Sequence, residues 1–411
     1  MERNVRWLGV GAAVRAGGLT LVLPYLALYL RNVLDLGYVE IGLVLAVTGV
    51  IPLVLVPFAG LVTDRVGRRR VFLVCMTVEA LSILLLALAM HERALVTIVA
   101  VATLTQTAGA LAGPAISAYV ADFVSGSERT LGYTYVRIGW NVGFTLGVLS
   151  GGSLIGFLGF VDTGLAAGGV LLASTAFVAL VLEASPFDLR RGRTVTGVPP
   201  RRPAPSIGDS LAVLARDRVF LALCAAVALA TVTDAQWGIT FPLYVNTVLG
   251  VPYSWLGAGL AINGLLVVVA QAPMTRAATG HRHTSVFVLG TVLYMAGFLL
   301  LGAFGIARVA VIAGFFAVVV VLTLGENLTS IPTTTLPSNL APASEIGSYN
   351  GAFFAITGVG QLLAPVVGGL VLALALDPLL TWGLLVVPAV PALLLLTRYV
   401  TPRVERTANR A

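Results

Sequence analysis

Between two apolar runs the chain reads Gly60-Leu-Val-Thr-Asp64-Arg65-Val-Gly67-Arg68-Arg69-Arg70. The stretches on either side, 38–61 and 71–90, each hold the ~20 apolar residues that a helix needs to cross a bilayer. The charged segment is therefore a short turn between two crossings. Gly67 suits a turn at positive φ, and Gly60 suits close approach of a neighbouring backbone. Asp64 is placed to meet a helix N-terminus or an arginine across the interface between the two halves. A loop shaped only by the preference for basic residues on one membrane side would supply the arginines. It would not require the glycines and the aspartate at these spacings.

Working outward, the 411 residues are 58% hydrophobic and 10% charged, against about 25% charged in soluble domains, and the mean hydropathy is +0.98. These values exclude a soluble protein. Apolar stretches recur at 6–30, 38–61, 71–90, 94–120, 131–159, 163–182, 219–247, 252–274, 285–305, 308–336, 347–375 and 379–399. They predict an all-α membrane protein of twelve transmembrane helices. All 25 basic residues are arginine, and the net charge is +7. Such a balance raises nucleic-acid binding, but basic loops between membrane helices account for it, and no nucleic-acid partner is expected. With both termini in the cytoplasm, 20 arginines fall on that side, Arg31, Arg93 and Arg308 fall outside, and Arg15 and Arg137 lie within helices. That asymmetry fixes the expected topology in a cell membrane. The basic start MERNVRW looks like a signal peptide, but the run after it reaches Leu30 without a small-residue cleavage site and is expected to remain as the first helix. Cys75 and Cys224 lie inside apolar runs and form neither a disulfide framework nor a metal motif.

The longest polar break, 184–218, is rich in Pro, Arg and Ser and reads as a cytoplasmic linker. It separates an N-terminal six-helix bundle, 1–183, from a C-terminal bundle with a short tail, 219–411. The halves repeat: GFTLGVLSGG from Gly143 matches GQLLAPVVGG from Gly360, and YLRNVL from Tyr29 matches YVNTVL from Tyr244, at offsets of 217 and 215.

With its glycines and charges at these positions, the Gly60–Arg70 loop resembles the GxxxDRxGRR motif of the major facilitator superfamily, and resemblance extends over essentially the whole chain. The second-half counterpart, TRAATGHRH from Thr275, keeps a basic turn and lacks the acid. In drug-efflux members the loop Asp and the Arg four residues on join an Asp at the end of helix 4, and these match Asp64, Arg68 and Asp122. Such a cluster, with Gly60, Arg65, Gly67 and Arg69 around it, is implied to be a conformational switch. The fifth stretch carries Gly143, Gly147, Gly151 and Gly152, similar to the GxxxGPxxGG motif of drug:proton antiporters with Val148 in place of Pro. Its repeat in the eleventh carries Gly360, Pro365, Gly368 and Gly369, with Ala364 replacing a Gly. Small residues every four positions are also how membrane helices pack closely.

Ionisable groups in the bilayer cost about 2.5 kcal/mol or more each unless paired or hydrated. Here they are Arg15, Glu79, Arg137, Asp234 and Glu326. The resemblance places Arg15, Tyr25, Gln106, Asp234 and Glu326 on helices lining a central proton and substrate cavity. Arg15 is expected to pair with Asp234 or Glu326, Glu79 to make a structural hydrogen bond, and Arg137 either to act in function or to reach the near interface. The expected function is alternating-access transport, as proton-coupled efflux of small amphipathic molecules by a monomer. Two rivals stand beside it: a carrier of small organic anions held by Arg15, and a receptor or scaffold with the same fold and no transport. No cofactor or metal site is implied, and without a paired acidic motif or a histidine cluster an enzyme is not expected.

Overall fold

The structure, a computed structural model, describes residues 3–124, 128–185, 188–189, 216–307, 311–342 and 345–403. Among them all regular elements are helical, as hydrocarbon demands, because a helix satisfies its own backbone donors and acceptors. The helices are α1 (Arg3–Thr20), α2 (Leu26–Asn32), α3 (Tyr38–Val66), α4 (Arg68–His91), α5 (Leu95–Phe123), α6 (Glu128–Val181), α7 (Arg218–Asp234) and α8 (Thr240–Thr247). There follow α9 (Tyr253–Ala278), α10 (His283–Ala307), α11 (Val311–Leu340), α12 (Ile346–Ala373), α13 (Pro378–Val386) and α14 (Ala389–Leu395). Eleven spans among the described residues are long and apolar enough to cross a membrane.

The difference from the expected twelve lies in α6. At 54 residues it would measure roughly 80 Å if straight, but Gly159 breaks it at φ 82°, ψ 176°. Before the break, Gly139, Gly143, Gly147 and Gly151 lie on the backbone of Gly9, Ala13, Gly17 and Leu21. Numbers rise together, so this limb runs parallel to α1. After the break Leu171 faces Gly18 and Val178 faces Gly11, so the second limb runs back. The two limbs on either side of Gly159 thus supply two crossings.

Two compact units divide the chain. The first holds residues 1–36, 47–198 and 252–265, and the second holds 37–46, 199–251 and 266–411. In the first, Val5, Leu8 and Phe72 are fully buried in a core with Tyr119. In the second, Phe220, Leu223 and Phe287, 215 positions beyond Val5, Leu8 and Phe72 in turn, are buried in a core that also holds Phe353. The repeat extends to backbone detail. A 3-10 turn interrupts the first crossing of each half, at Leu23–Tyr25 and at Ala235–Trp237. The helices that follow end alike, with Leu36 N donating to Leu30 O and Val251 N to Val245 O, both at 3.1 Å.

The repeated glycine motif also packs alike in both copies. Gly360 lies on the Ala228 carbonyl of α7, much as Gly143 lies on Ala13, and Gly368 lies on Thr240. Gly152 meets the Tyr253 carbonyl within the first unit, and Gly369 meets the Tyr38 carbonyl within the second. The Pro365 carbonyl in turn covers Gly42.

Candidate functional site

Arg15, on the fourth turn of α1, points at Glu79 of α4. Its Nε lies 2.6 Å from Oε2 and its Nη2 2.5 Å from Oε1, with the side chains 5% and 1% exposed. The planar fork and the carboxylate are matched so that both charges are answered in one plane. Burying two ions is costly, and only such geometry repays it. Gly109 of α5 makes the room, because a Cβ there would come 3.2 Å from Glu79 Oε1. The Trp140 ring of α6 covers the guanidinium, with its centroid 5.3 Å from Cζ. The expected partners of Arg15, Asp234 and Glu326, are thus replaced by Glu79, whose role is an ion pair and not an isolated hydrogen bond.

The pair forms part of the wall of a cavity of about 750 Å³ in the first unit. Gln106, Arg137, Trp140 and Asn141 also line it. Gln106 Nε2 donates to Thr48 Oγ1 at 2.7 Å, which leaves its carbonyl oxygen as an acceptor. Arg137 stands in this wall and makes no ion pair among the described residues. Leu19, Leu23, Ile116 and Val136 supply apolar surface. Tyr25 does not line the cavity: it is buried, and its hydroxyl donates to the Val148 carbonyl at 2.5 Å.

In the second unit Asp234 ends α7, Glu326 stands within α11, and the two lie within electrostatic reach of each other and of Tyr294 on α10. Asp234 Oδ1 is buried without a hydrogen bond. The structure therefore brings together the two acids singled out in the sequence, and adds a phenol.

At the loop, Gly67 takes φ 104° immediately before α4. Arg68 reaches both acids: Nη2 lies 3.9 Å from Asp64 Oδ1, and Nη1 pairs with Asp122 Oδ1. It also donates to the Ala118 carbonyl at 3.0 Å. Asp64, 55% exposed, does not meet the helix N-terminus. Asp188 takes that place, its Oδ1 and Oδ2 accepting from the Arg68 and Arg69 amides at 2.8 and 3.1 Å. Arg69 bonds the Leu182 and Ala179 carbonyls at 2.7 and 2.6 Å, the end of a helix where unpaired carbonyls attract a cation. Arg65 and Arg70 are exposed. Gly60 faces open space, so no backbone presses on it.

Sequence reasoning passed over Asp188 and Trp140. The signal for Asp188 was a serine three residues before it, Ser185, whose Oγ accepts from the Asp188 amide at 3.1 Å. For Trp140 it was the spacing Arg137, Trp140, Asn141, one face of a helix. Within the linker, 186–187 and 190–215 lie outside the described residues, as do Arg308 and the tail from 404.

Known proteins agree with this architecture. The nucleoside transporter NupG superposes with a TM-score of 0.75 at 14% identity, over 97% of this chain and 99% of its own. A POT family transporter in complex with 5-aminolevulinic acid gives 0.73 at 12% identity, over 97% and 96%. At such identities the likeness concerns the fold alone. An MFS-type transporter of Mycobacterium tuberculosis (strain ATCC 25618 / H37Rv) is 28% identical over 260 residues, 63% of this chain. The match spans 58% of that relative's length. Multidrug resistance protein 2 of Bacillus subtilis (strain 168) is 28% identical over 144 residues, 34% of each chain. Residues 8–365 match the family described as Major Facilitator Superfamily, and this chain, a multi-pass membrane protein, belongs to that superfamily.

Proposed function

We propose that this transporter exports small amphipathic compounds in exchange for protons by alternating access, as a monomer in the cell membrane with both termini in the cytoplasm. In this reading the 1–183 and 219–411 bundles move about the 184–218 linker. The observation that carries the proposal is the cavity beside Arg15 and Glu79. Its volume of about 750 Å³ falls in the roughly 300–1,000 Å³ range of small-molecule sites. It joins apolar walls to a few polar groups, which suits compounds with both characters. The partial similarity to a multidrug resistance protein points the same way.

Asp234 and Glu326 are the proposed proton carriers. Two neighbouring acids in a protein interior resist carrying two negative charges at once, so a proton held between them can be released when either meets water or a cation. The Asp64–Arg68–Asp122 cluster is the proposed switch, since its three charges hold α3, α4 and α5 together in the conformation described. Uptake of labelled amphipathic compounds into proteoliposomes, with and without a pH gradient, tests the reading. Accumulation that ends when the gradient collapses is expected, and the absence of any flux would turn the assignment toward a receptor or scaffold. Uphill transport surviving in both Asp234→Asn and Glu326→Gln would remove those acids from the coupling step.

A further inference from the structure

We infer that the cavity of the first unit takes a small amphipathic anion, with the Arg137 guanidinium as its counter-ion and Trp140 and the aliphatic wall receiving its apolar body. The inference rests on this cavity being the substrate site of the proposed transporter, and it names the substrate class.

Charge around the wall is unbalanced. The cavity is lined by two cations, Arg15 and Arg137, and one anion, Glu79. Arg15 and Glu79 answer each other through two nitrogens and two oxygens, at 2.6 and 2.5 Å, so their two charges cancel within the wall. Arg137 makes no ion pair among the described residues. Arg137 is exposed in that wall, and a guanidinium keeps its charge at any physiological pH, so one uncancelled positive charge faces the open cavity.

Tyr133, Arg137, Trp140 and Asn141 all line the cavity; Tyr133 stands four residues before Arg137, and Trp140 and Asn141 stand three and four after it, the spacing of one helical stripe. The stripe sets a charged fork among an indole, a phenol and a carboxamide. The planar fork matches a carboxylate, sulfonate or phosphate ester through paired contacts, which an ammonium cannot reproduce. The opposite charge is disfavoured twice. A ligand ammonium would meet Arg137, and the one acid of the wall is already held by Arg15. Leu19, Leu23, Ile116 and Val136 leave most of the remaining surface apolar, so a compact inorganic anion would leave that surface uncovered. An organic anion with an aromatic or aliphatic body covers it.

Matched probes separate charge from shape: naphthalene-1-sulfonate, its neutral sulfonamide, and 1-naphthylmethylammonium. Binding to the purified full chain is measured by calorimetry, and gradient-driven flux of the same probes in proteoliposomes. The sulfonate should bind at least about tenfold more tightly than the sulfonamide, with the ammonium weakest. Arg137→Gln should bring the sulfonate-to-sulfonamide ratio close to one while leaving sulfonamide binding in place. Arg137→Lys should keep only part of the preference. Equal binding of sulfonate and sulfonamide by the unaltered protein, binding of none of the three, or an unchanged ratio in Arg137→Gln would each overturn the inference. Should Arg137→Gln fail to fold, the ratio in the unaltered protein and in Arg137→Lys decides. Sulfonate binding without flux supports the anion site and counts against the transport reading. Flux without charge preference keeps the transport reading and overturns the anion site.

Discussion

Arg15 and Glu79 stand 64 residues apart in sequence and meet through two contacts, 2.6 and 2.5 Å long, with almost none of either side chain exposed. Removing one partner strands the other as an uncompensated buried charge, a loss of ~3–5 kcal/mol. Arg15→Gln and Glu79→Gln should therefore each lower the melting temperature strongly in detergent. The double variant should recover most of that loss. Strictly additive losses would mean that the pair does not act as a unit.

The switch cluster predicts an order of effects. Asp64 is 55% exposed and 3.9 Å from Arg68, so Asp64→Asn should cost the fold only the ~0.2–1 kcal/mol of a surface pair. Asp122 is 12% exposed and pairs directly with the same arginine, and Asp122→Asn should cost about 1.5–3 kcal/mol. Neither residue lines the cavity. Both variants should slow turnover while substrate affinity holds, and a loss of affinity with normal turnover would contradict this placement.

Two glycines should respond in opposite directions. A Cβ at Gly143 runs into the Ala13 carbonyl, so Gly143→Ala should destabilise by at least ~1–3 kcal/mol. Gly60 has open space and sits inside α3. Gly60→Ala should be neutral or stabilising by up to ~1 kcal/mol. Thermal denaturation of the two variants checks the pair, and equal destabilisation would defeat it.

With both termini in the cytoplasm, as proposed above, residue 201 is expected on the cytoplasmic side. Cys75 and Cys224 are both buried, so Arg201→Cys supplies a reactive thiol that stands out over a quiet background. A membrane-impermeant maleimide should label it only after the cells are opened. Labelling of intact cells would reverse the topology.

The fold was legible because a bilayer constrains composition so tightly. Twelve apolar runs carried the crossings, and the break at Gly159 fell at the end of the fifth run. Gly67 was readable for a related reason, because positive φ leaves few other residues a choice. Pairing within the site was less legible. Which acid answers Arg15 depends on how α1, α4 and α6 rotate about their axes, and hydropathy does not encode that rotation. Family resemblance pointed to Asp234 and Glu326, whereas Gly109, by leaving space beside Glu79, is the feature that admits the actual partner. Gly60 misled in the other direction, since a motif position suggested contact where the structure has none. Asp188 was hidden because its stretch is polar, and polarity alone does not separate a chain that caps a helix from one that merely connects.

That cap moves the practical boundary of the first half. By composition the bundle stops at residue 183, but the amides that open α4 are answered by Asp188. If the two halves are produced as separate polypeptides for reassembly in one bilayer, a first fragment cut at 183 would expose the start of α4 beside Gly67. A fragment carried through Leu189 keeps it closed. Fusion tags and engineered cleavage sites accordingly belong beyond Leu189, clear of the Asp188 cap.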